Sequence, residues 1–298
     1  MKIKSIEAFL AIAQNGSIRA AARHLNLSQP AVSKALKALE EEVGAPLLVR
    51  GSKGIDLTIF GQAFLARATI ISHESTKIIE EIQQMRGEIN GSVSILLSPT
   101  AAIQFAPATI RHFRHSYPKV KIKISEGLQA SALTKLRMSE IDFAITTTSK
   151  STSLSSKEFE FHPLREIPMV IIARKNHPLK DKTSLLDLLE ADWLQITSGD
   201  QHSSLINEFY KSQDIAPPIS SIECHSFTSS LALIESSDML GMLPEALIDN
   251  SFYSERFEKF NLVEGNAVNK LQLIYRRDIP LTPIAQKLVN YFLRRYAL

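Results

Sequence analysis

Residues 17–43 read SIRAAARHLNLSQPAVSKALKALEEEV, and this stretch decides the fold of the first part of the chain. Ser17 and Ser28 are residues of the type that caps helix N-termini, and each is followed by apolar residues at helical spacing. The first pattern breaks at Asn26. The stretch therefore predicts two short helices joined by a tight turn.

The second of these helices has an apolar face and a polar face. Its buried face is predicted from spacings of three and four residues between Val32, Leu36, Leu39 and Val43. The opposite face carries short hydroxyl and methyl side chains, which permit close approach to DNA, and lysines, which meet phosphates. This exposed face consists of Pro30, Ser33, Lys34, Lys37 and Ala38. Pro30 falls in the first turn, where its missing N–H costs nothing.

The flanking segments favour a winged helix-turn-helix over an ordinary pair of helices with a solvated outer face. Upstream, Ile6, Phe9, Leu10 and Ala13 outline a third amphipathic helix. Downstream, residues 46–50 and the turn-rich residues 51–54 predict a two-stranded wing that carries Arg50 and Lys53.

The first quarter of the chain resembles the LysR-type transcriptional regulators. The resemblance is carried by Ala21-Ala22, residues 28–33 (SQPAVS), Leu39-Glu40, Gly44, Leu47, Arg50, Leu57-Thr58 and Gly61. Leu48 stands where the family commonly has Phe, an exchange of one apolar residue for another. The resemblance implies that recognition-helix side chains contact DNA and that the wing holds phosphate or the minor groove. The full set predicted to bind DNA is Ser28, Gln29, Pro30, Ser33, Lys34, Lys37, Arg50 and Lys53.

Composition is consistent with a DNA-binding head on a neutral body. The net charge of the 298 residues is +3, and residues 1–60 hold eight Lys or Arg against five acidic residues, so the remainder balances. The only cysteine, Cys224, excludes an intramolecular disulfide and fits a reducing cytoplasm. We expect it to be a buried, inert thiol rather than a sensor. No apolar run approaches the length of a membrane span, so no membrane partner is expected.

A long helix is predicted between residues 58 and 86, where no proline occurs and no glycine follows Gly61. Its apolar residues alternate four and three apart, as in a coiled coil. The helix could pack on the body of its own chain, or pair with a second copy. The resemblance implies the second arrangement, with dimers that associate into tetramers. The residues predicted for dimerisation are Phe64, Ala68, Ile71, Ile78, Ile82 and Met85.

From Gly91 onward, short apolar runs alternate with helical patterns, which favours α/β architecture with a largely parallel sheet. Two sets of such units suit a two-lobed body like that of a periplasmic solute-binding protein, and the resemblance implies the same. We expect a head at 1–60, a linker helix at 61–90 and an effector-binding domain at 91–298. Within that domain, one lobe would comprise 91–164 and 270–298, and the other 165–269.

Ligands of such sheets bind beyond the carboxyl ends of strands, where helix N-termini offer free N–H groups. The residues predicted to bind an effector on this ground are Ser98, Pro99, Thr100, Thr146, Thr147, Thr197, Ser198, His225 and Phe227. Simple helix capping, or core packing for Phe227, is the alternative for each. The resemblance implies a small organic anion between the lobes, and Phe227 could stack on an aromatic one.

Catalytic motifs are missing, with no G-x-S-x-G elbow, no phosphate-binding G-x-x-x-x-G-K and no G-x-G-x-x-G. His112 and His115 are three apart but lack further ligands, so a solvated pair is expected rather than a metal site. We therefore expect no enzyme activity, cofactor or metal. The expected partners are duplex DNA with an inverted repeat, a second copy of the chain, a small effector and RNA polymerase. The alternatives are a metabolic enzyme or a solute receptor with an attached helix-turn-helix domain.

Overall fold

The computed structural model of the protein describes residues 1–51, 54–148, 157–197, 205–249 and 251–296. They form two compact units, one of residues 1–90 with 137–140 and the other of residues 91–136 with 141–298. None of the helices in the described part of the chain is both long and apolar enough to cross a membrane.

The first unit consists of three short helices, a two-stranded hairpin and one long helix. These are α1 (Ile3–Asn15), α2 (Ile18–His24), α3 (Gln29–Val43), β1 (Leu48–Gly51), β2 (Gly54–Leu57) and α4 (Ile59–Met85). Both predicted serine caps are confirmed, because Ser17 accepts a hydrogen bond from the Ala20 N–H at 3.1 Å and Ser28 accepts one from Ala31 at 3.4 Å. Such a cap contributes about 1 kcal/mol to helix stability.

The core of this unit lies between α1, α3 and the start of α4. Leu39 and Leu47 are fully buried there beside Phe9, and Ala68 of α4 closes the cluster. Val43 is a correction to the sequence-based pattern, since it is 40% exposed. It lies one turn beyond Leu39, and Gly44 in the left-handed conformation ends the helix directly after it.

Two contacts fix the hairpin to the core, one from Glu40 near the end of α3 and one at Gly61 near the start of α4. A carboxylate oxygen of Glu40 accepts hydrogen bonds from the N–H groups of Leu47 and Leu48 at 2.7 and 3.2 Å. Gly61 packs so tightly that a Cβ there would lie 2.0 Å from the Leu47 carbonyl oxygen. Any side chain at position 61 would therefore push the start of α4 away from the hairpin.

The second unit contains one sheet flanked by helices. Its elements are β3 (Ser92–Leu97), α5 (Ala106–Ser116), β4 (Lys121–Glu126), α6 (Gln129–Arg137), β5 (Phe143–Thr148), β6 (Phe159–Arg174), β7 (Asp192–Ile196), α7 (Leu205–Ser212), β8 (Ser220–Cys224), α8 (Phe227–Ser236), β9 (Met239–Pro244), α9 (Glu245–Ile248), α10 (Ser251–Ser254), β10 (Phe257–Lys259), β11 (Ala267–Arg276) and α11 (Pro283–Tyr296). A π-helical turn at Ala101–Phe105 precedes α5, and a 3-10 turn spans Leu185–Leu188.

The strand order is β4-β3-β5-β11-β6-β9-β7-β8, with β10 paired to β6. Strands β4, β3 and β5 are parallel, and so are β8, β7 and β9. The two parallel groups form the two lobes of an α/β domain, and the long strands β6 and β11 join them. The expected largely parallel sheet is corrected to a mixed one, because β6 and β11 pair antiparallel to each other and to their neighbours.

Helix α7 is fixed by two buried aromatic side chains. The rings of Trp193 and Tyr210 meet edge to face with centroids 5.8 Å apart. Trp193 donates to the Leu188 carbonyl at 2.9 Å, and Tyr210 donates to the Leu185 carbonyl at 3.2 Å. Burial raises the pKa of Tyr210, which keeps its hydroxyl a donor.

Cys224 is only partly buried at the end of β8, which corrects the expectation of a buried thiol.

Candidate functional site

The polar face of α3 is open to solvent as the sequence predicts. All seven residues expected on this face or at its start are exposed, and these are Ser28, Gln29, Pro30, Ser33, Lys34, Lys37 and Ala38. Lys37 has Glu41 at 3.7 Å one turn away, but both side chains are more than 60% exposed, so solvent screens this pair. The face therefore offers hydroxyl, amide and ammonium groups without a covering element from its own unit.

The hairpin of the same unit presents Arg50 to solvent. Arg50 is exposed on β1 and pairs in register with Ile55 of β2. The Ile55 N–H donates to the Gly16 carbonyl at 3.0 Å, which ties the hairpin to the turn between α1 and α2. Gly54 has a φ of +140°, a conformation that favours glycine. Lys53 lies outside the described residues.

The second unit has a cavity of about 160 Å³ at the carboxyl ends of strands from both lobes. A cavity of about 150 Å³ holds a molecule the size of benzene. The described lining residues are Ser98, Pro99, Thr100, Leu128, Gln129, Thr147, Met169, Gln195, Ile196, Thr197, Leu205, Ile206, Phe227, Met242, Leu243, Pro244 and Asn269. The lining is mostly apolar with a few polar groups, as is usual for small-molecule sites.

The structure brings six of the predicted effector residues together around this cavity: Ser98, Pro99, Thr100, Thr147, Thr197 and Phe227. Two predictions are corrected. Thr146 is fully buried outside the described lining, because neighbouring residues of a strand point to opposite faces. His225 is exposed and its Nδ1 lies 2.9 Å from the Thr197 carbonyl oxygen, so it joins the ends of β7 and β8 instead. Ser198 lies outside the described residues.

Gln129 is the residue of this cavity that sequence reasoning missed. It is 5% exposed, and its side-chain Nε2 has no hydrogen-bond partner among the described residues. An unsatisfied buried amide is costly, so a ligand acceptor at this point would remove a penalty of about 1–3 kcal/mol. Gln129 opens α6 shortly after the end of β4. The strand-end rule that selected residues 98–100 would have found Gln129 if it had been applied to β4.

No lysine, arginine, histidine, aspartate or glutamate lines the cavity among the described residues. Part of the polar lining is already engaged. The Ser98 hydroxyl accepts from the Ala101 N–H at 3.3 Å, and the side-chain Oε1 of Gln195 accepts from the Ser220 hydroxyl at 3.0 Å. Recognition of a ligand within the described lining therefore rests on neutral groups, among them the buried Gln129 amide, whose Nε2 has no partner there.

The predicted dimerisation residues of the long helix α4 fall into two groups, one packed in the core of the first unit and one exposed. Ala68 is fully buried in the core of the first unit, and the Phe64 ring meets Phe9 edge to face at 5.2 Å. These two residues are corrected to core residues, because α1 of the same chain covers this part of α4. Farther along, the apolar side chains remain exposed in the chain, and these are Ile71, Ile78, Ile79, Ile82 and Met85.

Comparisons with known proteins agree with this architecture. The family described as the LysR substrate binding domain matches residues 86–297. The family described as the bacterial regulatory helix-turn-helix protein, lysR family, matches residues 3–62. Together these matches span almost the whole chain.

Individual relatives and solved structures also cover the chain from end to end. The HTH-type transcriptional regulator TdcA of Escherichia coli (strain K12) is 28% identical over 97% of this chain and 91% of its own length. BsdA of Bacillus subtilis (strain 168) is 28% identical over 98% of this chain and 100% of its own length. The crystal structure of CbnR, a LysR family transcriptional regulator, has a TM-score of 0.76 at 21% identity and covers 100% of both chains. CbnR complexed with its target DNA gives a TM-score of 0.73 at 22% identity, with 99% of both chains covered.

Proposed function

This chain belongs to the LysR family of transcriptional regulators, and from that membership we propose how it reads DNA and what it senses. The protein is a DNA-binding regulator with an effector-binding domain. The observation that carries the DNA-binding proposal is the exposed polar face of α3, and Arg50 is exposed on the hairpin of the same unit. In our proposal, Ser33 and Gln29 approach base edges, while Lys34, Lys37 and Arg50 neutralise phosphates. Ser28 and Pro30 at the start of α3 contribute to the same contact. Lys53 would hold phosphate or the minor groove from the wing.

We propose that two chains pair through the exposed part of α4. Ile71, Ile78, Ile82 and Met85 form an apolar stripe on a helix about 40 Å long at 1.5 Å per residue. A pair presents two recognition helices, which suits an inverted repeat whose half-sites are separated by a whole number of helical turns. Pairs of dimers would then form a tetramer. RNA polymerase remains a proposed partner, and the cytoplasm, where bacterial DNA lies, is the proposed location.

We propose the cavity of the second unit as the effector site. It is supported by the free Gln129 donor, by the ring of Phe227 and by the apolar side chains around them. These features fit a small, partly apolar organic molecule with a carbonyl or carboxylate acceptor. The charge of an organic anion would be stabilised by hydrogen bonds to neutral groups of the described lining, because a buried carboxylate needs donors.

The boundaries expected from the sequence also stand as a proposal. A head at 1–60, a linker at 61–90 and an effector domain at 91–298 agree with the division of compact units between residues 90 and 91. The proposed lobes are 91–164 with 270–298, and 165–269. The long strands β6 and β11 each contribute to both lobes in this division.

The test is genome-wide capture of DNA bound to the purified full chain, compared with Ser33→Ala/Lys34→Ala. We expect the unaltered protein to select a few sites that share an inverted repeat, and the variant to lose them. Lys211→Ala, which removes an exposed lysine of the second unit, is the matched control and should retain the sites. Salt-sensitive binding without a shared motif, equal in all three proteins, would contradict sequence-specific reading by α3.

A further inference from the structure

Helices α5 and α11 pack side by side on the second unit and leave a groove between them. The Tyr291 hydroxyl donates to the Ser116 hydroxyl at 3.0 Å, and the His112 and Tyr291 rings meet with centroids 5.3 Å apart. The groove is lined by Ala108, Arg111, His112, His115 and Arg295. It is separate from the effector cavity, with which it shares no lining residue.

The groove lies in a part of the chain where basic residues are concentrated. Residues 89–125 contain five lysines or arginines and no acidic residue. Residues 279–298, which include α11, contain three and again no acidic residue. The charge of the body balances as a whole, so these two segments hold an excess of positive charge that other segments offset. We call the exposed basic surface formed by Arg111, His112, His115 and Arg295 the α5–α11 surface.

The basic side chains of the α5–α11 surface form no ion pair within the described residues. Arg295 donates only to the Tyr296 hydroxyl, at 3.0 Å. Elsewhere in the same unit, cationic side chains do have acidic partners, as Arg174 has in Asp238 and Lys259 has in Asp249. Neighbouring like charges repel, and a bound polyanion would relieve that repulsion while releasing counterions.

We propose that the α5–α11 surface binds the phosphate backbone of DNA without reading its sequence. The presence of DNA rests on the established family, since the head holds the rest of the chain near a duplex at high effective concentration. Arg111 of α5 and Arg295 of α11 both line the groove, so each helix supplies a guanidinium to the same surface. Arginine forms paired hydrogen bonds to phosphate oxygens, which suits the DNA backbone.

The experiment uses the full chain with its head weakened by Ser33→Ala, Lys34→Ala and Lys37→Ala. A duplex of random sequence is titrated between 50 and 200 mM salt, and log K is plotted against log salt concentration. In this background, Arg111→Gln/Arg295→Gln should lower the slope by about 1.8 per contacting protomer, at roughly 0.9 per phosphate contact. Affinity at 50 mM salt should fall about tenfold. Lys180→Gln/Lys211→Gln removes two exposed charges from the other lobe and should leave both quantities unchanged.

Equal slopes and affinities in the two double variants would overturn the proposal. A poly-glutamate peptide tests an acidic protein as the alternative partner. If Arg111→Gln/Arg295→Gln abolishes peptide binding and leaves DNA binding intact, the proposal is also overturned. Selection of operator sites by the unaltered head is measured separately, so a failure of sequence-specific reading would not be confused with a failure of this surface. Thermal unfolding of each variant confirms that it is folded.

Discussion

Two residues of the first unit, Gly61 and Glu40, stabilise its fold through close contacts with the backbone around the hairpin. Gly61 is required because the Leu47 carbonyl oxygen occupies the space of a side chain, and Glu40 holds the hairpin through two backbone N–H groups. Both residues belong to the motif that suggested the family, and their contacts join different elements of the first unit. The sequence shows which residues are present, whereas the reason for each lies in a tertiary contact.

Gln129 is the residue whose chemistry we expect to decide effector binding. Gln129→Leu removes the free donor and keeps most of the side-chain volume. Loss of one hydrogen bond costs about 0.5–1.5 kcal/mol, so the dissociation constant should rise roughly three- to tenfold. The measurement is isothermal titration calorimetry with benzoate, a probe of suitable size with an anionic acceptor. Gln104→Leu is the control, because Gln104 also has a buried Nε2 without a partner but lies outside the cavity lining. Equal affinities in the two variants would rule out this role for Gln129.

At the scale of elements, α4 combines two surfaces that its sequence pattern does not distinguish. Phe64, Ala68, Ile71 and Ile78 all belong to one heptad pattern. Only the first two meet α1, because the head covers the beginning of α4 and leaves the following turns open. The change from core to exposed stripe therefore depends on where the rest of the head lies.

The exposed stripe of α4 predicts the result of placing charges in it. Ile71→Asp/Ile78→Asp should lower the oligomeric state, since burying each isoleucine contributes about 1.5–3 kcal/mol. We expect the dimer dissociation constant to rise at least roughly 100-fold, and affinity for the captured DNA sites to fall with it. Analytical ultracentrifugation and fluorescence anisotropy measure the two effects. Gln62→Asp/Thr76→Asp, on the opposite side of α4, should change neither. Normal assembly of the isoleucine variant would contradict pairing through this stripe.

At the scale of the whole molecule, ligand binding and DNA binding should be coupled by a shift between states. An effector that favours one arrangement of the lobes favours one spacing of the recognition helices in the oligomer. We therefore expect the length of the DNase footprint, or the bend of a captured DNA site, to change at saturating effector. Benzoate with the Gln129→Leu variant provides the control, because weakened binding should shift the response to higher concentration. An unchanged footprint at saturation would exclude this coupling.

Local sequence patterns are sufficient to predict most helices and strands and the two-lobed α/β class of the second unit. Helical spacing, the caps at Ser17 and Ser28 and the alternation of strands and helices depend on near neighbours, so the printed order of residues is enough to read them. Tertiary structure alone decided which of these residues share a site. The tertiary contacts show that Thr147 lines the cavity and Thr146 does not, and that Gln129 lines it too. They also show that the sheet is mixed rather than largely parallel, and that α5 packs beside α11. Each of these outcomes depends on contacts between residues distant in the chain, whose pairing no local pattern records.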